Sequence, residues 1–205
     1  GSPGGREHPG SVHVFTGTSS SREWKEISTL TASVASGAPR FGSSLAFGKN
    51  VLVVGAEGTD SAAGAVFIYR WTAQGWIEEG VLRGPDSAPG DRFGCSVSLE
   101  GDSLVIGALG AQARMGAVYV YSRNPDGWRL EAELRAPNGA PGDMFGRSVA
   151  HEGPALVVGA DTTPKGFLAP NAGDRPDDPD WLRFRLVGAT NPVYFALHAR
   201  RRMAL

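Results

Sequence analysis

One pattern, repeated three times in register, constrains this chain more than any other feature. Phe41-Gly42-Ser43-Ser44-Leu45 leads to Val54-Gly55-Ala56, Phe93-Gly94-Cys95-Ser96-Val97 to Ile106-Gly107-Ala108, and Phe145-Gly146-Arg147-Ser148-Val149 to Val158-Gly159-Ala160. The phenylalanines and the second glycines each recur every 52 residues. A fixed period of this size announces a repeat architecture, in which one small unit is stacked several times. Trp24, Trp76 and Trp128 keep the same step, as do Leu30, Leu82 and Leu134.

Within a unit the text reads as four short strands. The Phe-Gly strand and the Val-rich strand ending in Gly-Ala are joined by a tight polar turn. An aromatic strand follows, seen in Gly64-Ala65-Val66-Phe67-Ile68-Tyr69 and Gly116-Ala117-Val118-Tyr119-Val120-Tyr121, and already in Gly10-Ser11-Val12-His13-Val14-Phe15. β-Branched and aromatic residues of this kind suit pleated strands. A polar turn such as Asn124-Pro125-Asp126-Gly127 then leads to the strand between Trp and Leu. No connection holds a helical period long enough for a crossover, so sequential antiparallel pairing is predicted. A content of 29 Gly and 14 Pro in 205 residues, placed between apolar runs, supports an all-β fold. One four-stranded sheet cannot bury both faces alone. Radial stacking of such sheets gives a β-propeller, and about three blade-equivalents are predicted over residues 10–161.

Phe-Gly opening the unit, Val-Val-Gly-Ala or Val-Ile-Gly-Ala midway, and Gly-Ala-Val-Tyr-Val-Tyr after it resemble the FG-GAP repeat of integrin α-chain propellers and of bacterial secreted proteins. Glu57, Leu109 and Asp161 stand where that family often has proline. The chain supplies the outer strands of one unit, complete units at 41–92 and 93–144, and the inner strands of another. Propellers close with at least about four blades, and the resemblance implies seven. A partial or open propeller is therefore expected: a piece of a longer one, a ring completed by several chains, or an open arc with capped ends. Residues 1–9 read as a flexible lead-in, 162–180 as a Pro/Asp-rich linker, and 181–205 as a tail with no repeat relation to the rest.

The resemblance raises calcium, which that family holds between the first two strands of a blade. The equivalent turns here, Phe47-Gly48-Lys49-Asn50, Leu99-Glu100-Gly101-Asp102 and His151-Glu152-Gly153-Pro154, lack both the length and the oxygen ligands. No metal or other cofactor is expected. Asp91 and Asp143 sit two residues before Phe-Gly, where they either line a ligand-facing edge or accept backbone N–H bonds within their own turn; the turn role is favoured. Ser44, Ser96 and Ser148 recur unchanged, as small hydroxyls on a crowded inner strand. Ser43, Cys95 and Arg147 share a variable column that suits a channel or solvent, so Cys95 reads as incidental rather than nucleophilic. As the single cysteine it forms no internal disulfide. His8, His13, His151 and His198 fall at unrelated positions, and no phosphate cradle or nucleophile–base–orienter set is present. Asp174, Asp177, Asp178 and Asp180, and Arg200-Arg201-Arg202, read as solvated.

A formal net charge of −1 recommends neither nucleic acid nor an anionic surface, and no apolar run approaches a membrane span. The expectation is a non-enzymatic scaffold for adhesion, recognising a protein or glycan partner through the loops at 56–64, 84–92, 108–116 and 136–144. Asp86, Asp91, Gln112, Arg114 and Asp143 are the candidate ligand-binding residues. Further blades or another copy of the chain are expected partners, and the resemblance implies a place at the cell surface or outside the cell. The competing expectations are an accessory module of a larger secreted hydrolase, or an inactive fragment.

Overall fold

The computed structural model describes residues 9–17, 23–33, 39–137 and 139–160. The lead-in, apart from Pro9, the linker and the tail lie outside the described residues, as do the acidic and arginine clusters within them. Among the described residues four antiparallel sheets follow one another along the chain. The first pairs β1 (Val12–Gly17) with β2 (Trp24–Leu30). The second is the meander β3 (Phe41–Gly48), β4 (Val51–Ala56), β5 (Ala65–Thr72) and β6 (Gly75–Leu82). The third repeats it as β7 (Phe93–Glu100), β8 (Ser103–Ala108), β9 (Ala117–Asn124) and β10 (Gly127–Leu134). The fourth pairs β11 (Ser148–Glu152) with β12 (Ala155–Gly159). The predicted all-β architecture of four-stranded blades is thus what the chain forms, with half sheets on either side of two whole ones.

The strands alternate their side chains between two neighbours, as a stacked sheet requires. In the second sheet Val51, Val53, Val66 and Ile68 face the third, where they meet Phe93, Leu104, Ile106 and Tyr119. Its other face presents Phe41, Leu52, Val54 and Phe67 to Val12 and Leu30 of the first. Between the third and fourth sheets, Val105 and Val118 pack on Leu156 and Val158. Phe41, Phe67 and Phe93 are essentially inaccessible, and each contributes on the order of 2–3 kcal/mol through its burial.

Two details of the repeat go beyond what the pattern of residues announced. The Phe-Gly pair is not regular strand. Phe41 pairs with Ala56 and Ser44 with Gly55, so Gly42 and Ser43 bulge out; Gly94 and Cys95 do the same between the Phe93–Ala108 and Ser96–Gly107 pairs. The bulge glycines have φ of 87° and 86°, a region that glycine alone enters without strain. It aims the Gly94 carbonyl back at the preceding sheet, where Ser44 Oγ donates to it at 2.7 Å; Ser96 Oγ donates likewise to Gly146 at 2.7 Å. A Cβ built on Gly55 would collide with the Gly94 carbonyl, and one on Gly107 with that of Gly146. The recurrent Ser and Gly are therefore the donor and the clearance for one inter-sheet fastening. Ser44 and Ser96 fill the crowded strand, as the sequence implied, and they also tie sheets together, whereas Ser148 is exposed.

The second detail lies in the loops after β4 and β8. Thr59–Ala62 and Ala111–Arg114 each make one helical turn, but its backbone is left-handed, with φ of 51°, 58° and 64° at Asp60, Ser61 and Ala62 and 51°, 57° and 66° at Gln112, Ala113 and Arg114. Three consecutive non-glycine residues in this region cost about 1–2 kcal/mol each. The gain is a carbonyl turned toward the next sheet. Ala62 accepts from the N–H of Gly90 at 3.1 Å and Arg92 at 2.8 Å, and Arg114 from Gly142 and Met144, both at 3.0 Å.

Candidate functional site

Antiparallel order sorts the connections by end. The turns at 49–50, 101–102 and 153–154, and at 73–74 and 125–126, all lie at one end of the sheets. They are two residues long, with φ of 51°, 56° and 54° at Lys49, Gly101 and Gly153, as tight hairpins demand. The loops that follow β4, β6, β8 and β10 emerge at the other end. There the left-handed turns, the bulges and the loops entering β7 and β11 enclose a cleft of about 560 Å³, spanning the second, third and fourth sheets.

Arg92, Arg114 and Arg147 line this cleft with Glu57, Cys95 and Met144. Arg92 is held at φ 56° by its place before the bulge, and Arg114 at φ 66° by the left-handed turn. Both guanidinium stems thus leave backbone that is fixed by hydrogen bonds to neighbouring loops. Arg114 Nη2 lies 3.6 Å from Met144 Sδ. Glu57, the carboxylate of the lining, is buried and paired to the guanidinium of Arg40, so its charge is already answered. Cys95 sits at the floor, its thiol 3.5 Å from the Gly146 carbonyl. Burial pushes that thiol up to about 11, against small opposing effects from backbone N–H groups, so it stays protonated and unreactive at neutral pH.

The structure gathers only part of the sequence-based set. Arg114 lines the cleft. Asp91 and Asp143 flank it in the turn role favoured from sequence: their Oδ2 atoms accept from Ala88 N at 2.8 Å and Ala140 N at 2.7 Å, and Asp143 is buried. Asp86 and Gln112 are exposed at the same end, outside the lining. Sequence reasoning missed Arg92, Arg147 and Glu57. A signal was available for Arg92, which shares with Arg40 the column before Phe-Gly.

A serine–histidine contact also went unread. Ser98 Oγ lies 3.0 Å from His151 Nδ1 and accepts from His151 N at 3.2 Å. It joins the third sheet to the fourth at the tight-turn end. Among the described residues His151 Nε2 is buried with no hydrogen-bond partner, so no carboxylate orients the ring as a general base. Burial lowers the pKa of this histidine, with Glu100 and a backbone hydrogen bond to Ser103 opposing. Among the described residues no His, Cys, Asp and Glu cluster could hold a metal ion, and no helix is long and apolar enough to cross a membrane.

The sequence profile of the FG-GAP repeat matches residues 24–69, 76–121 and 128–173. Among curated proteins, a protein named hydroxymethylglutaryl-CoA synthase from Pyrobaculum aerophilum is 34% identical over 146 residues, which is 68% of this chain and 37% of that protein. The chain therefore spans little more than a third of the relative it matches.

Proposed function

The chain belongs to the FG-GAP repeat family, and from that premise we propose that it is a rigid, non-enzymatic binding module that works outside the cell and holds an acidic protein or glycan at its loop end. The observation that carries this reading is the convergence of Arg92 and Arg114 on one cleft whose lining carboxylate, Glu57, is already neutralised by Arg40. Guanidinium groups on fixed stems suit carboxylates, which they hold by paired charge-assisted hydrogen bonds. The strained turns and bulges support it too, because they place these stems in the absence of a ligand, so less ordering is left for binding. A second reading, an accessory module within a larger enzyme, is favoured by the synthase-named relative, in which the matching segment is a minor part.

Titration calorimetry at low salt with a polyglutamate peptide, a polygalacturonate oligosaccharide and neutral dextran tests the first reading. Binding of at least one acidic probe is expected, with none to dextran. The double variant Arg92→Ser/Arg114→Ser should weaken it at least about tenfold, the loss expected for charge-assisted bonds. Equal binding of dextran, or an unaffected double variant, overturns the assignment.

A further inference from the structure

The second and third sheets offer their successors the same serine and glycine contact, and among the described residues its equivalent at the fourth sheet is unused. Ser44 and Ser96 donate to the bulge carbonyls of Gly94 and Gly146, while Gly55 and Gly107 leave those carbonyls room. At the tight-turn end, Glu100 Oε2 accepts from the N–H of Gly153 at 2.6 Å. The fourth sheet carries the equivalents in Ser148, Gly159 and Glu152. Ser148 and Glu152 are exposed, Val157 between them is 38% exposed, and a Cβ on Gly159 would meet only Ser148. Val53 and Val105, the counterparts of Val157, are 0% and 1% exposed.

The receiving half of that contact stands equally open on β3. Gly42 has the bulge φ of 87°, yet among the described residues no serine donates to its carbonyl. Leu45 and Phe47 are 41% and 66% exposed, whereas Val97 and Leu99, their counterparts, pack into the core between sheets. Lys49 holds the position of Gly153. The backbone edges match as well: among the described residues the outer edge of β12 and the inner edge of β1 are unpaired, where β4 pairs β5 and β8 pairs β9.

We propose that the β11–β12 hairpin of one copy occupies the slot beside β1 and over β3 of a second copy. The repeat sets the register. From Val53–Ile68, Gly55–Val66 and Ala56–Ala65, Val157 pairs with Val14, Gly159 with Val12 and Ala160 with Ser11 across the seam. Ser148 then donates to Gly42, Val157 covers Leu45, and Glu152 accepts from the Lys49 N–H beside the Lys49 ammonium. Two such seams complete a four-stranded sheet at each, and the described sheets of two copies then number six, inside the range in which propellers close. Joining the two described halves within one copy would leave three, below that range. Strand addition at a free edge supplies the main-chain bonds, and the matched side chains supply the register.

The test uses the full chain carrying Cys95→Ser, in which Val14→Cys and Val157→Cys are made separately. Light scattering should give twice the 21.5 kDa chain mass. Mild oxidation of the two single variants mixed together should give a covalent dimer, and neither alone should. Gly159→Ala, which blocks the room for the Gly42 carbonyl, should return the mass to that of one chain with the far-ultraviolet spectrum kept. A parent chain that is monomeric at micromolar concentration, as when residues 161–205 fill the slot in cis, overturns the proposal. So does a dimer whose mixed variants fail to cross-link.

Discussion

At the scale of single residues, two kinds of backbone position carry the repeat, and they respond oppositely to substitution. Gly107 lies where the Gly146 carbonyl and Ser96 Oγ leave no room for a Cβ. Gly107→Ala should cost at least about 2–3 kcal/mol in urea unfolding, because backbone rather than a flexible side-chain tip must move. Ala113 is exposed and held at φ 57°, a conformation that a methyl group penalises and glycine does not. Ala113→Gly should therefore raise stability by about 0.5–1 kcal/mol in the same measurement, after the entropy that glycine adds to the unfolded chain. A loss at position 113, or no effect at 107, contradicts this account of the strain. The recurrence of Gly107 was plain in the sequence. Its reason was not, since the colliding carbonyl belongs to another sheet.

At the scale of elements, the strands were legible because their signal is local. Alternating apolar residues, turn residues between them and a constant period set all twelve within the described chain. The bulges and left-handed turns were not legible. Their causes are hydrogen bonds from Arg92, Met144 and their neighbours, residues of the following unit, and the text of Asp60-Ser61-Ala62 carries no positive-φ signature. The contact between β7 and β11 shows the same dependence on a distant partner. His151 has its pKa lowered by burial from the ordinary 6.5, so the folded chain binds fewer protons than the unfolded one just below that value. Stability should fall as pH drops from 6.5, and the loss is complete once pH lies below the folded pKa. Urea midpoints measured between about pH 7.5 and 5 should show a smaller slope for His151→Gln than for the parent. Equal slopes would remove His151 as the cause.

At the scale of the whole molecule, the cleft explains why the candidate site was only partly read. Arg92, Arg114 and Arg147 are scattered in sequence, and a net charge of −1 hides their convergence. Only the stacking of three sheets brings them to one end. Asp91 and Asp143 were found because their turn chemistry is local, and it is that chemistry which occupies them. The substantial contacts between sheets run between consecutive ones, and the second–third and third–fourth seams are fastened by the same serine, glycine and bulge carbonyl. Under a pulling force such seams act in series. The molecule would pay out chain one 52-residue unit at a time, about 180 Å of extended backbone for each seam that parts. A scaffold tethered at its two ends would then yield in steps, lengthening under load while its remaining sheets stay folded.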